Sequence, residues 1–266
     1  MTKYKTEEEV LENYDSSKYR TPDGYTSDIA IFTIVSEKVL EKAPPKMRLN
    51  IMLIKRADID NEGNPNIEGG KWALPGGFVD VPKRETAYTA AKRELKEETN
   101  VEGLHVKHFG VYDEFGRDPR GWMISNAFYA IVPEENIGQR EANDDAAEVE
   151  LFDIDEVFKL DLAFDHRKII KDALKFIKKE MIQSTVAKNF LPKEFTLSEL
   201  QRVLLTVGDD PRISNDSVFF TKVPKLPFIE KVTDKEGKPK KTNRNSFRPS
   251  QLYSFNDFEI IESIYH

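Results

Sequence analysis

The chain has 266 residues, of which 39% are hydrophobic and 33% charged, and its formal net charge is −7. It contains no cysteine, which excludes disulfide scaffolds, zinc fingers and thiol chemistry, and no apolar run of 18 residues, which excludes a spanning helix. The length favours two domains, and the charge is divided unevenly: residues 1–166 carry 21 Lys and Arg against 34 Asp and Glu, residues 167–266 carry 19 against 13. An acidic half suited to cations and a basic half suited to a polyanion is one reading; uneven surface charge is the other. The four histidines, His105, His108, His166 and His266, form no metalloprotease pattern, so any metal must be held by oxygen ligands, as Mg²⁺ or Mn²⁺ is. The opening MTKYKTEEEVLENY lacks the apolar core of a secretory signal. With the absence of cysteine, that predicts a cytoplasmic protein with no membrane partner.

Residues 6–14 read as a short helix and Thr21–Gly24 as a turn. The β-branched run 28–35 predicts a buried strand, Pro44-Pro45 closes a loop, and 48–56 is a second strand. A polar loop at 58–70 leads to Trp72-Ala73-Leu74-Pro75-Gly76-Gly77-Phe78-Val79, where two glycines permit a turn or a close backbone approach. Residues 84–99 lack Gly and Pro and predict a helix; strands follow at 105–112, 123–132 and 148–154. A long amphipathic helix at 164–183 joins the halves, giving boundaries of 1–162, 163–183 and 184–266. Helices at 195–207 and 214–223, the latter stopped by Pro224, precede hairpin strands at 228–233 and 251–255 around a basic, breaker-rich loop.

Helix 84–99 is unusual. On a helical wheel Ala87, Ala91, Glu94 and Glu98 share a stripe where an amphipathic helix normally shows Leu, Ile or Val. Glu94, Glu97 and Glu98, spaced i, i+3, i+4, converge, and three crowded carboxylates ask for a cation among them. The alternative is a solvated face with ordinary Lys and Arg partners. Glu85 lies two helical turns before Arg93 on the same side and can grip its guanidinium bidentately.

The stretch Gly77 … Glu85 … Arg93-Glu94-Leu95-Lys96-Glu97-Glu98-Thr99-Asn100-Val101 resembles a Nudix box, G-x5-E-x7-R-E-U-x-E-E-x-G-U. It departs in two places: Asn100 replaces a glycine, and seven residues instead of five separate Gly77 from Glu85. The resemblance implies an α/β/α sandwich with a mixed sheet. It also implies Mg²⁺- or Mn²⁺-dependent hydrolysis of a nucleoside diphosphate derivative, with Glu94, Glu97, Glu98 and the Gly77 carbonyl as metal ligands and Glu85–Arg93 as the orienting pair. The general base is Glu94 or a carboxylate of the acidic segment 144–148, with Glu148 the candidate; a solvated acidic loop is the competing reading for the latter.

Segments LIKRA (53–57), KWALPGGFVD (71–80), FGRDPRGW (115–122) and LAFDH (162–166) resemble the Nudix subgroup with a C-terminal winged helix, which includes ADP-ribose pyrophosphatases and Nudix-type repressors. That likeness implies an ADP-ribose-like ligand and a homodimer. Arg56, Arg117 and Arg120 are then candidate phosphate contacts. Tyr112, Phe115 or Trp122 are candidates for stacking on a base, with packing as the competing role. The tail has the order of a winged helix and a loop bearing Lys235, Lys238, Lys240, Lys241, Arg244 and Arg248, suited to DNA phosphates. Its second helix, with one lysine, one acid and Phe219-Phe220, is a poor base reader, and the phenylalanines are expected in a core or an interface. Two functions therefore stand side by side: an active hydrolase, and an ADP-ribose-sensing repressor.

Overall fold

The computed structural model describes residues 6–19, 21–60, 62–99, 105–139 and 146–258. A short helix α1 (Glu7–Glu12) precedes strands β1 (Gly24–Glu37), β2 (Lys46–Arg56), β3 (Trp72–Ala73) and β4 (Gly76–Phe78). Helix α2 (Ala87–Thr99), strands β5 (His105–Tyr112), β6 (Met123–Ile131) and β7 (Ala146–Asp153), and helix α3 (His166–Gln183) follow. The sheet runs β3-β2-β1-β6-β5, with β4 also pairing β1 and β7 also pairing β2. Among the described strands, β1 and β6 pair in parallel and the other pairs are antiparallel, so the sheet is mixed.

Period-two alternation assigns the two faces. Ile29 and Ile31 of β1, Met52 of β2 and Phe128 and Ala130 of β6 pack with Ala91 and Leu95 of α2. The intervening Ala30, Phe32, Ile51, Leu53, Tyr129 and Ile131 pack with Ile169, Ile170, Ala173 and Ile177 of α3. The central strands are covered on both sides, which is why 28–35 reads as a continuous apolar run. Small residues let α2 approach the sheet closely: Ala90 and Ala91 are fully buried, and Ser27 Oγ donates to the Ala87 carbonyl (2.8 Å).

Helix α2 starts at Ala87, three residues later than the composition predicts. Residues 80–85 form a tight turn, with Lys83 and Glu85 N–H groups both bonded to the Asp80 carbonyl and Arg84 at φ +56°.

The C-terminal part is a winged helix: α4 (Leu197–Val207), α5 (Pro211–Ser214), α6 (Asp216–Lys222), and strands β8 (Ile229–Lys231), β9 (Lys241–Thr242), β10 (Ser250–Gln251) and β11 (Tyr253–Phe255). β8 pairs with β11, and β9 with β10 inside the wing. Thr196 and Glu199 form a capping box that starts α4. Phe195, Leu200, Val203 and Phe219 belong to the same apolar cluster as Phe32, Ile51 and Ile169, so one core runs from the sheet through α3 into the winged helix. Phe219 is buried in that core, while Phe220 is 38% exposed beside it. Among the described residues, no helix is long and apolar enough to cross a membrane.

Candidate functional site

The glycines of β4 are where the site begins. A side chain at Gly76 would strike the Ser27 carbonyl of β1, and one at Gly77 would strike the Glu94 carboxylate. At Gly76 the obstacle is backbone, so glycine is what lets β4 lie this close to β1; at Gly77 it is the Glu94 carboxylate, which packs where a β-carbon would stand. Burial pushes the Glu94 carboxyl above its ordinary range, against the pull of Arg93.

Arg93 organises the surrounding acids. Its Nε donates to Glu85 Oε1 (2.9 Å) and its Nη2 to Glu85 Oε2 (3.0 Å), a bidentate pair. Nη2 also reaches the Phe78 carbonyl (3.0 Å), and Nη1 bridges Glu94 (2.7 Å) and Glu97 (2.8 Å). Glu85 sits in the loop before the helix, not on the helix itself, and accepts a further bond from the Asp80 N–H (2.8 Å). The Arg93 hydrogen bonds hold its carboxyl below the usual glutamate range. The guanidinium therefore pins the loop, β4 and two turns of α2 to one another.

Glu94, Gly76 and Gly77 line a cleft of about 340 Å³ whose other walls include Arg56, Arg117, Arg120 and Phe164. Its floor is a buried polar network. Arg117, 4% exposed, forms a bidentate pair with Asp165 (3.0 and 2.7 Å) and lies 3.7 Å from Asp28. Asp28 in turn accepts from Ser125 Oγ (2.5 Å). His166 Nδ1 accepts the Leu74 N–H (2.9 Å), and its other nitrogen lies 3.9 Å from Asp28. Burial depresses the His166 pKa, so the ring is neutral.

Arginine and aromatic groups form the wall above that floor. Arg120 pairs with the buried Asp118 through Nε (2.9 Å) and Nη2 (2.6 Å). Its guanidinium lies 5.3 Å from the ring centres of both Phe78 and Phe164. Arg56 lies 5.2 Å from the Phe164 ring and donates to the Ile67 carbonyl and to Asn66 Oδ1 (both 3.1 Å). Phe164 adopts φ +49°, a backbone conformation costly for a residue with a β-carbon, and such strain persists where surrounding structure enforces it.

The structure thus gathers Gly77, Glu94, Arg56, Arg117 and Arg120 around one cleft, with Glu85, Arg93 and Glu97 joined to it through α2. It does not bring Tyr112 there: this residue is buried behind the floor, its hydroxyl bonded to Asp172 (3.2 Å). Phe115 and Trp122 stack on each other (5.0 Å) and line no wall of the cleft. Glu148, on β7, faces Lys55 (3.7 Å) and is also absent from the lining. The Glu98 side chain, Asn100 and the acids Asp144 and Asp145 lie outside the described residues; among those described, no three acidic or histidine side chains converge as a metal cluster. Asp28, Asp118, Phe164, Asp165 and His166 were not anticipated as site residues. The signal available was the segments FGRDPRGW and LAFDH, which contain four of the five.

The NUDIX domain model matches residues 41–173, half of the chain, and a model for the NrtR DNA-binding winged helix domain matches residues 187–255. The chain belongs to the NUDIX family. An ADPR responsive transcriptional repressor, NtrR, from Acinetobacter baylyi is 26% identical over 95% of this chain and 89% of its own length. An ADP-ribose pyrophosphatase from Methanocaldococcus jannaschii is 44% identical over 47% of this chain and 66% of its own. The crystal structure of Shewanella oneidensis NrtR complexed with a 27mer DNA superposes with a TM-score of 0.63 at 24% identity, covering 87% of this chain and 93% of that one. That last likeness concerns the fold: a Nudix domain followed by a winged helix.

Proposed function

We propose that the chain is a divalent-metal-dependent Nudix pyrophosphohydrolase acting on an ADP-ribose-like nucleoside diphosphate derivative. The observation that carries this reading is the Glu94 carboxylate seated on Gly77 at the wall of an arginine-lined cleft, with Arg93 clamping Glu85, Glu94 and Glu97 around it. The donors are carboxylate and carbonyl oxygens, the kind hard cations take, so Mg²⁺ or Mn²⁺ fits the site by its chemistry. Glu94, Glu97, Glu98 and the Gly77 carbonyl are the residues that would hold it. When bound, the metal neutralises pyrophosphate charge and activates water.

The chain's own residues do the rest. Arg93 fixes the acids in register through its fork to Glu85. Arg56 and Arg120, aligned against Phe164, present cations to the diphosphate. Arg117 is turned to Asp165 and holds the floor. Glu94 lines the cleft while Glu148 faces Lys55 away from it, so on geometry Glu94 is preferred over Glu148 as general base. The test is product release from ADP-ribose with Mg²⁺: Glu97→Gln and Glu98→Gln should cut turnover at least about 100-fold with the thermal midpoint retained. Wild-type rates in both variants overturn the assignment.

A second reading is favoured by the likeness to NtrR along nearly the whole chain: a nucleotide-responsive DNA-binding protein whose winged helix meets duplex DNA. It predicts retardation of DNA from the chain's own promoter region that weakens steeply with salt and changes when ADP-ribose is added. No retardation at low salt removes it.

A further inference from the structure

A second recess, separate from the cleft, lies where the loop between β1 and β2 meets the wing and the start of α4. Its volume is about 440 Å³, within the span of roughly 300–1,000 Å³ typical of small-molecule sites. Lys42, Arg202 and Arg248 line it, together with the hydroxyl residues Ser198 and Ser250 and the ring of Phe247. Phe247 is 85% exposed, the most exposed large apolar side chain described, and no packing role accounts for it.

Three of the wing's cations are engaged by acids; Lys235 and Lys241 form no ion pair among the described residues but do not line the recess. Lys238 pairs with Glu236 (2.7 Å), Lys240 with Glu194 (2.7 Å), and Arg244 with the buried Glu199. Glu199, also at the recess, is neutralised by Arg244 and further bonded by Asn245 Nδ2 (2.7 Å) and the Thr196 N–H (2.7 Å). Lys42, Arg202 and Arg248 form no ion pair among the described residues. The Lys42 ammonium lies 3.5 Å from the Asn243 carbonyl, so the β1–β2 loop closes over the wing at this point. In a chain of net charge −7, three uncompensated cations lining one polar recess leave a local positive field.

We infer that this junction recess is a second binding site for a small phosphorylated ligand of nucleotide size, its phosphate held by Lys42, Arg202 and Arg248 and its base laid against Phe247. Guanidinium groups suit phosphate oxygens, and an exposed ring beside them provides a stacking platform. The volume of the recess suits a single nucleotide rather than a duplex, whose backbone is read along an extended surface. The inference does not rest on the hydrolase reading, because none of these residues lines the cleft.

Calorimetric titration of the full chain with AMP, with inorganic phosphate and with duplex DNA tests it. AMP binding should weaken at least tenfold in Arg202→Ala/Arg248→Ala, while turnover of ADP-ribose, where present, stays unchanged. Both side chains are exposed, so the variant should retain its fold, and its thermal midpoint checks this. Tighter binding of AMP than of phosphate supports the nucleotide assignment; equal affinity, which leaves no role for the base on Phe247, overturns it. Undiminished AMP binding by the double variant, or binding of duplex DNA alone, overturns the inference, as does density for soaked AMP only in the cleft.

Discussion

The floor of the cleft and the wing both consist of acid–base pairs, but they place them in opposite surroundings. Arg117 and Asp165 are 4% and 17% exposed, whereas Lys238 and Glu236 are 73% and 72% exposed. A buried pair is held by the difficulty of hydrating either charge alone, and losing one partner strands the other. An exposed pair exchanges one good solvent, water, for an almost equal partner. The same residue types therefore build a rigid floor in one region and an adjustable charged surface in the other.

The sharpest way to break this contrast is Asp165→Ala. It removes the bidentate partner of the buried Arg117, leaving Asp28 at 3.7 Å as the remaining acid, and should cost about 3 kcal/mol in chemical denaturation; a loss near zero would show that the floor is hydrated. Glu85→Gln comes next. It replaces a charge-assisted fork with a neutral acceptor and should cost about 1–2 kcal/mol, with Arg93 keeping its bonds to Glu94 and Glu97. A smaller effect belongs to His166. Its folded pKa lies below the ordinary value near 6.5, so protons favour the unfolded chain. Stability is therefore complete above about pH 6.5 and is lost as pH falls towards the depressed folded value. Denaturation between pH 8 and pH 5 should be less pH-dependent in His166→Gln, which keeps an acceptor for the Leu74 N–H. At the bottom of the scale, Lys238→Ala should leave the thermal midpoint unchanged, and a clear drop would mean the wing pairs do more than decorate the surface.

Much of the architecture was legible in the residue pattern. Strands at 105–112 and 123–132 and the helix at 164–183 emerge within a few residues of their predicted limits, because the strands read as short apolar segments and the helix repeats its apolar residues every three to four positions. The start of α2 was missed: helix propensity is blind to the turn at Asp80, which uses Arg84 in a left-handed conformation. In the site, Arg56, Arg117 and Arg120, read from the sequence as phosphate contacts, line one cleft, but the acids that engage two of them were not read from it. Asp118 sits two residues from its partner Arg120, a spacing that is readable locally. Asp165 and Arg117 are 48 residues apart, and nothing local announces that pair.

By itself, the sequence narrowed what chemistry could be read from it. Without cysteine or clustered histidine, and with Glu94, Glu97 and Glu98 on successive turns, it left oxygen-bound cations as the reading, since side-chain type and helical spacing are local properties. The tertiary structure alone decided which groups meet. It laid β4 on β1 so that the Glu94 carboxylate packs against Gly77, bonded Tyr112 to Asp172 away from the cleft, drew Phe164 and His166 from the head of α3 to the cleft wall, and set Asp165 beneath it on Arg117. Those outcomes follow from strand pairing and from burial on both faces of the sheet, which join residues far apart in the chain.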